Sequence, residues 1–193
     1  MIQATLKGKQ NKSTASPLLK KRKFSEVSNP AVVSDTSSTN SDHSLEKSEK
    51  RLKKDLAPLL KQAWKARENA YCPYSGFKVG AAMRSKATGK IYFGCNVENA
   101  AFPSGICAER GALCNALATE GPGIEFDEIV VVTNADEPTP PCGSCRQMLV
   151  EFGTEAFVNS YTAKGEKTRM TMEELLPNSF GPKSFKPKPS GKK

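Results

Sequence analysis

The chain has 193 residues, 29 of them basic and 20 acidic, for a net charge of +9, and 37% are hydrophobic. That length allows one domain of ordinary size with chain to spare, and so low an apolar fraction predicts an unfolded portion. No apolar run approaches the roughly 18 residues of a membrane helix, and residues 1–23 lack the apolar stretch of a secretory signal. The one histidine, His43, excludes a histidine-rich metal site and any triad that needs a second imidazole. Six cysteines without a secretory route read as thiols or metal ligands, not as a disulfide framework.

The charge is uneven: +6 over residues 1–55, −2 over 56–176 and +5 over 177–193. Residues 1–47, rich in Ser, Thr, Asn and Lys, are expected to be a disordered basic tail, because they cannot bury enough surface to offset the entropy of ordering. Within that tail stands Lys20-Lys21-Arg22-Lys23, preceded by Pro17-Leu18-Leu19. Such a cluster reads as a nuclear-import address, a weak nucleic-acid contact or a solubilising run. Residues 183–193 form a second basic tail whose alternating prolines forbid a helix. Between the tails, 48–182 is the expected folded domain, near neutral and therefore without a track for a phosphate backbone.

Along that domain the predicted elements follow in order. Leu52, Leu56, Leu59, Leu60, Ala63 and Trp64 recur at helical spacing and predict a helix over about 52–69. Pro58 places its start near Leu56, since proline is welcome in a first turn. Strands are expected at 77–85 and 91–97 around a turn at Ala87-Thr88-Gly89-Lys90. A helix over 107–119 ends at Gly121 and Pro122. Phe126 to Thr133 reads as a buried strand, and the proline-rich loop from Pro138 to Pro141 leads into a helix over 142–152. Strands near 156–161 and Thr168 and a short helix over 172–176 complete the order. Strand and helix alternate, which predicts an α/β fold: a three-layer α/β/α sandwich with a mixed central sheet and helices on both faces.

Two segments carry chemistry. Cys107-Ala108-Glu109-Arg110 opens one helix, and Pro141-Cys142-Gly143-Ser144-Cys145 opens another. Cys142 and Cys145 are three apart, so their sulfurs face one point. Cys107 supplies a third sulfur from a neighbouring helix start, where unpaired N–H groups favour a thiolate. Three thiolates without a fourth protein ligand fit catalytic zinc, one per chain. Glu109 lies near the metal and is placed to take a proton from water and hand it to a substrate nitrogen. A lone Cys-x-x-Cys also suits a redox or structural role. Cys72, Cys95 and Cys114 are expected to be small buried apolar residues.

By these motifs the chain resembles the cytidine deaminases that act on free nucleosides. The resemblance rests on 70–82 (AYCPYSGFKVGAA), 94–100 (GCNVENA), 107–110 (CAER), 141–147 (PCGSCRQ) and 174–182 (ELLPNSFGP). It implies a zinc hydrolase of pyrimidine salvage. Cys107, Cys142 and Cys145 would bind the metal, and Glu109 would shuttle protons. Phe77, Asn96, Glu98 and Ala108 would bind substrate, Asn96 and Glu98 chiefly through the ribose 3′-hydroxyl. By residues alone, Asn96 and Glu98 suit a capping or turn role and Phe77 plain core packing. The resemblance further implies a homotetramer in which Phe102 and Phe180 reach a neighbouring subunit's pocket. Arg110 would draw charge off the sulfurs.

The implied reaction converts cytidine and deoxycytidine to uridine and deoxyuridine with release of ammonia. The implied setting is cytoplasmic, with Lys20–Lys23 as a nuclear address, no membrane, and nucleic acid met only weakly through the basic tails. Three rivals stay open: a polynucleotide editor, a deoxycytidylate deaminase, which would need a phosphate clamp, and a zinc-stabilised interaction module.

Overall fold

A computed structural model describes residues 39–181 and Phe185, with side chains from Glu46 onward. Lys20–Lys23 and residues 186–193 lie outside the described residues. The strand β3 (Phe126–Thr133) is buried at every position except Asp127, as a run apolar on both sides requires of a central strand. On one side it pairs antiparallel with β1 (Val79–Ser85), and on the other parallel with β4 (Phe157–Thr162). Outside these, β2 (Ile91–Cys95) and β5 (Lys167–Thr171) close a five-stranded sheet of order β2-β1-β3-β4-β5.

Side chains alternate across this sheet and divide the core in two. Ala81, Met83, Ile129, Val131 and Val158 face one side, where they meet α2 (Ala108–Glu120), α3 (Gly143–Leu149) and α4 (Met172–Leu175). Ala82, Val130 and Val132 face the other and meet Leu56, Leu59 and Ala63 of α1 (Thr39–Glu68). The three-layer sandwich with a mixed sheet is therefore present as expected. Each fully buried leucine in these layers contributes on the order of 1.5–3 kcal/mol.

Helix α1 corrects the expected start near Leu56: it runs from Thr39 to Glu68 with Pro58 in its interior. The sequence logic fails because an interior proline is tolerable when the opposite face is well anchored. Pro58 is exposed while its neighbour Leu59 is wholly buried, so the Lys54 carbonyl that loses its donor faces water. The helix therefore extends back through the expected tail boundary at residue 47. The last turn of α2 is tied to the hairpin of β1 and β2. Ser85, Thr88 and Tyr92 all donate hydroxyl hydrogen bonds to the Glu120 carboxylate, at 2.8, 2.6 and 2.7 Å.

The parallel pair β3 and β4, joined through α3, creates a place where strand ends open a crevice beyond the sheet. The N-termini of α2 and α3 both come to that edge, and with them come the cysteines.

Candidate active site

Cys107 and Cys142 each occupy the position before a helix, with extended backbone (φ −71°, ψ 155° and φ −66°, ψ 163°). A serine or aspartate there would turn back to cap the helix. Neither cysteine side chain makes that hydrogen bond, so both sulfurs remain directed to a common point. Cys145, in the first turn of α3, is fully buried. The three sulfurs lie within 4.8 Å of one another, the single such cluster among the described residues. The Cys107 and Cys142 sulfurs are 3.8 Å apart. Two thiolates at about 2.3 Å from one tetrahedral zinc stand roughly 3.8 Å apart, so the donor set fits one zinc per chain.

The electrostatics favour an ionised sulfur at Cys107. Hydrogen bonds from the Cys145 thiol, then from Arg110 and Cys142, hold the Cys107 pKa down at about 5 against its partial burial. Cys145, hydrogen-bonded to Cys107 and buried, is pushed up. Arg110 Nη2 donates to the Gly105 carbonyl at 2.9 Å and reaches the Cys107 sulfur at 3.7 Å. Its Nε is buried with no hydrogen-bond partner, so the side chain is held for its charge as much as for its hydrogen bonds. Glu109 is 4% exposed. Burial, and next to it the Cys107 charge, push its carboxyl above the ordinary range, which suits a group that both takes and returns a proton.

Cys107, Cys142, Ala108 and Glu109 open into a cavity of about 230 Å³. Phe77 and Asn96 line the same cavity, so six of the residues expected at the site are brought together. Asn96 also braces the loop before β1. Its Oδ1 accepts from the Val79 N–H at 2.8 Å and its Nδ2 donates to the Phe77 carbonyl at 2.9 Å. The same amide also hydrogen-bonds the Cys72 side chain, so Asn96 ties together both ends of that loop.

Glu98 sits elsewhere. With Phe102 it lines a second cavity of about 370 Å³, beside Tyr74 and Ser75. Its carboxylate accepts from the Tyr74 and Ser75 N–H groups at 2.9 and 3.1 Å and from the Ser75 hydroxyl. The hydroxyl above all holds its pKa below the ordinary carboxylate range. Phe102, edge-on to Tyr74 at 5.8 Å, is 74% exposed, and Phe180, edge-on to Phe185 at 5.3 Å, is 60% exposed. Neither aromatic lines the zinc cavity.

Sequence reasoning passes over Thr133 at the end of β3 and Thr139 and Pro140 in the following loop, which also line the zinc cavity. Their signal is the proline-rich run 138–141, which by itself reads only as a connection. The expectation of three small buried cysteines is corrected. Cys114 is exposed on the outward side of α2, and Cys72 and Cys95 are half-buried. Cys72 donates to the Phe77 carbonyl at 3.3 Å, so it fastens a loop instead of filling core.

Three sulfurs matched to one zinc, with a buried carboxylate beside them, equip a metal-assisted hydrolase. Comparison with known proteins narrows that class. Residues 53–160 match the sequence pattern of the cytidine and deoxycytidylate deaminase zinc-binding region, and the chain belongs to that family. A cytidine deaminase from Sporosarcina psychrophila is 41% identical over 128 residues, 65% of this chain and 91% of that protein. The crystal structure of cytidine deaminase from Burkholderia pseudomallei matches with a TM-score of 0.60 and 45% identity, over 64% of this chain and 97% of that one. That from Mycobacterium tuberculosis gives 0.57 and 34%, over 66% and 98%.

Proposed function

We propose that this zinc-dependent deaminase takes free cytidine and deoxycytidine to uridine and deoxyuridine, releasing ammonia, as a step of pyrimidine salvage. The observation that carries the reading is the single cavity shared by Glu109, two of the zinc-ligand cysteines, Phe77 and Asn96. Its lining contains no lysine or arginine, and a nucleotide phosphate calls for one. A free nucleoside needs no such charge, which favours it over a deoxycytidylate or a strand.

Cys107, Cys142 and Cys145 would hold the zinc, which when bound would supply water of lowered pKa. Glu109 takes the proton released as that water adds to C4 of the pyrimidine and delivers it to N3. The carboxylate then takes the proton of the new C4 hydroxyl and carries it to the amine, so that the C4 carbonyl forms and ammonia, not its anion, leaves. Phe77 gives the flat base an aromatic neighbour. The fully buried Ala108 keeps the cavity floor small. Asn96 and Glu98 line different cavities but brace the same 75–77 loop, and from its two sides they would hold the 3′-hydroxyl, which donates and accepts at once. Arg110 offsets the excess negative charge of three sulfurs.

The catalytic unit is the domain expected at 48–182, with its first helix running back to Thr39, between a basic segment before that helix and another at 183–193. Support comes from the core, whose first buried side chain among the described residues is Leu56. The working assembly is a homotetramer, with Phe102 and Phe180 each entering a neighbour's site. Their exposure is what an aromatic pair awaiting a partner surface presents. The setting is cytoplasmic, with Lys20-Lys21-Arg22-Lys23 as a nuclear address. Among the described residues no helix is long and apolar enough to cross a membrane.

The test is ultraviolet absorbance of the zinc-loaded chain with cytidine, deoxycytidine, deoxycytidylate and a cytosine-containing oligonucleotide. Rapid loss of absorbance on the two nucleosides alone is expected. Turnover confined to deoxycytidylate or the oligonucleotide overturns the substrate reading, and zinc without any turnover favours an interaction module.

A further inference from the structure

The corrected course of α1 changes where the positive charge lies. Lys47, expected in the tail, and Lys50 and Arg51, expected before the helix, join Lys53, Lys54, Lys61 and Lys65 in one continuous helix. At 100° per residue, Lys47, Lys54, Lys61 and Lys65 fall on one line along the helix, flanked by Lys50 and Arg51. That line lies opposite the face that carries Leu56, Leu59 and Ala63 into the core. All six side chains are exposed. Of them Lys50 alone has an acidic partner among the described residues, Glu46 at 2.6 Å. The acids of the same stretch, Glu49 and Asp55, fall on other sides of the helix.

We propose that this outer face of α1 is a docking surface for the phosphate backbone of a polynucleotide. The reasons are charge, geometry and the absence of competition. Lys47 to Lys65 spans roughly 27 Å at 1.5 Å per residue, the length of about eight phosphates of one strand. From Leu56 onward the helix is held by its buried side, so the backbone that carries Lys61 and Lys65 loses little further freedom on binding. Side chains already paired with acids gain little from a phosphate, and five of these six are not so paired. A lipid surface suits the face less well. An interfacial helix inserts an apolar face, and the apolar face of α1 is already spent on the sheet. The surface is separate from the zinc cavity, whose lining includes no residue of α1. It would place the enzyme on nucleic acid without making nucleic acid its substrate.

The chain's single tryptophan, Trp64, sits on α1 beside Lys65 and reports binding there. The full zinc-loaded chain is titrated with a fluorescein-labelled thymidine 20-mer, which contains no cytosine to engage the active site. The combined variant Lys47→Gln, Lys54→Gln, Lys61→Gln, Lys65→Gln is titrated in parallel, with Lys20–Lys23→Gln as the tail control. Expected are quenching of Trp64 on binding and at least tenfold weaker binding by the helix variant in low salt. Its slope of log K against log salt should be shallower by roughly 3, at about 0.7 for each phosphate of a single strand left unneutralised. Cytidine turnover should be unchanged, which certifies the fold. Equal affinity and slope for the helix variant overturn the proposal. So does binding abolished only in the tail control with Trp64 unmoved, or binding to phosphatidylserine vesicles without binding to the oligonucleotide.

Discussion

The guanidinium of Arg110 stands 3.7 Å from the sulfur of Cys107, one turn back on the same helix. Its Nη2 is shared with the Gly105 carbonyl, which fixes the group over the sulfur from the loop side. Arginine beside thiolate answers a problem of charge: three thiolates and one Zn²⁺ sum to −1, which by itself opposes acidification of water in the site. On the proposed reading, Arg110 and the N–H groups at the start of α2 would pull density off the sulfurs and restore that acidity when zinc is bound. Arg110→Gln retains hydrogen-bonding capacity and removes charge. The expected outcome is zinc affinity weaker by about 10–100-fold, the usual effect of losing an outer partner of a ligand, together with slower turnover. Chelator competition and a cytidine assay measure the two, and unchanged values for both refute the role.

Glu109→Gln separates proton transfer from metal binding. The amide nearly preserves the volume of this buried side chain and relieves the desolvation that burial imposes on a charge. Zinc content should therefore match the wild type while turnover falls by at least about 10²–10⁴-fold. Metal analysis and initial rates on the same sample decide it. Substantial residual turnover would move the acid–base role to another group.

How much of the fold and site is legible in the sequence follows from the range over which each signal acts. Cys107 with Glu109, and Cys142 with Cys145, are local patterns, and local patterns survive in a sequence. The apolar run of β3 and the helical spacing of Leu56, Leu59 and Ala63 are local too, and both layers form as they imply. The start of α1 departs from its local signal because proline's rule is outweighed by packing of the opposite face on the sheet, which joins distant segments. Thr133 and Thr139 escape notice for the same reason: a threonine at a strand end carries no chemical signal until the fold turns it toward a cavity. Glu98 shows the reverse case, in which a motif names the residue but only the structure places its carboxylate against Tyr74 and Ser75.

Gly94 holds the layer that carries the site. A methyl group there would stand 2.4 Å from the Ala112 nitrogen and 2.7 Å from the Ala108 oxygen, both backbone atoms of α2. Backbone cannot rotate away as a side chain can, so the whole helix must lift, taking Cys107 and Glu109 with it. Gly94→Ala is expected to destabilise the fold by at least about 1–3 kcal/mol and to lower zinc occupancy in step. Gly123→Ala, where a methyl group meets nothing within 4 Å, is the control. Denaturant midpoints and zinc content for the pair check the claim, and a stable Gly94→Ala with full zinc would refute it.

Tyr92 supplies a stability test far from the site. Burial, and then its hydrogen bond to the Glu120 carboxylate, push its pKa up to about 12, against about 10 for an unfolded tyrosine. The folded protein therefore keeps a proton that the unfolded chain gives up between about pH 10 and 12. The unfolded state then binds fewer protons than the native one, so stability falls as pH rises through that window. Below about pH 10 the contribution is fully present. Tyr92→Phe removes the hydroxyl and should be less stable than the wild type near pH 9, with the gap closing toward pH 12 as the wild type loses its advantage. Urea midpoints of both proteins at successive pH values measure the gap. A constant difference would mean that the contribution of Tyr92 does not depend on its hydroxyl proton, and no difference at any pH would leave Ser85 and Thr88 to hold Glu120.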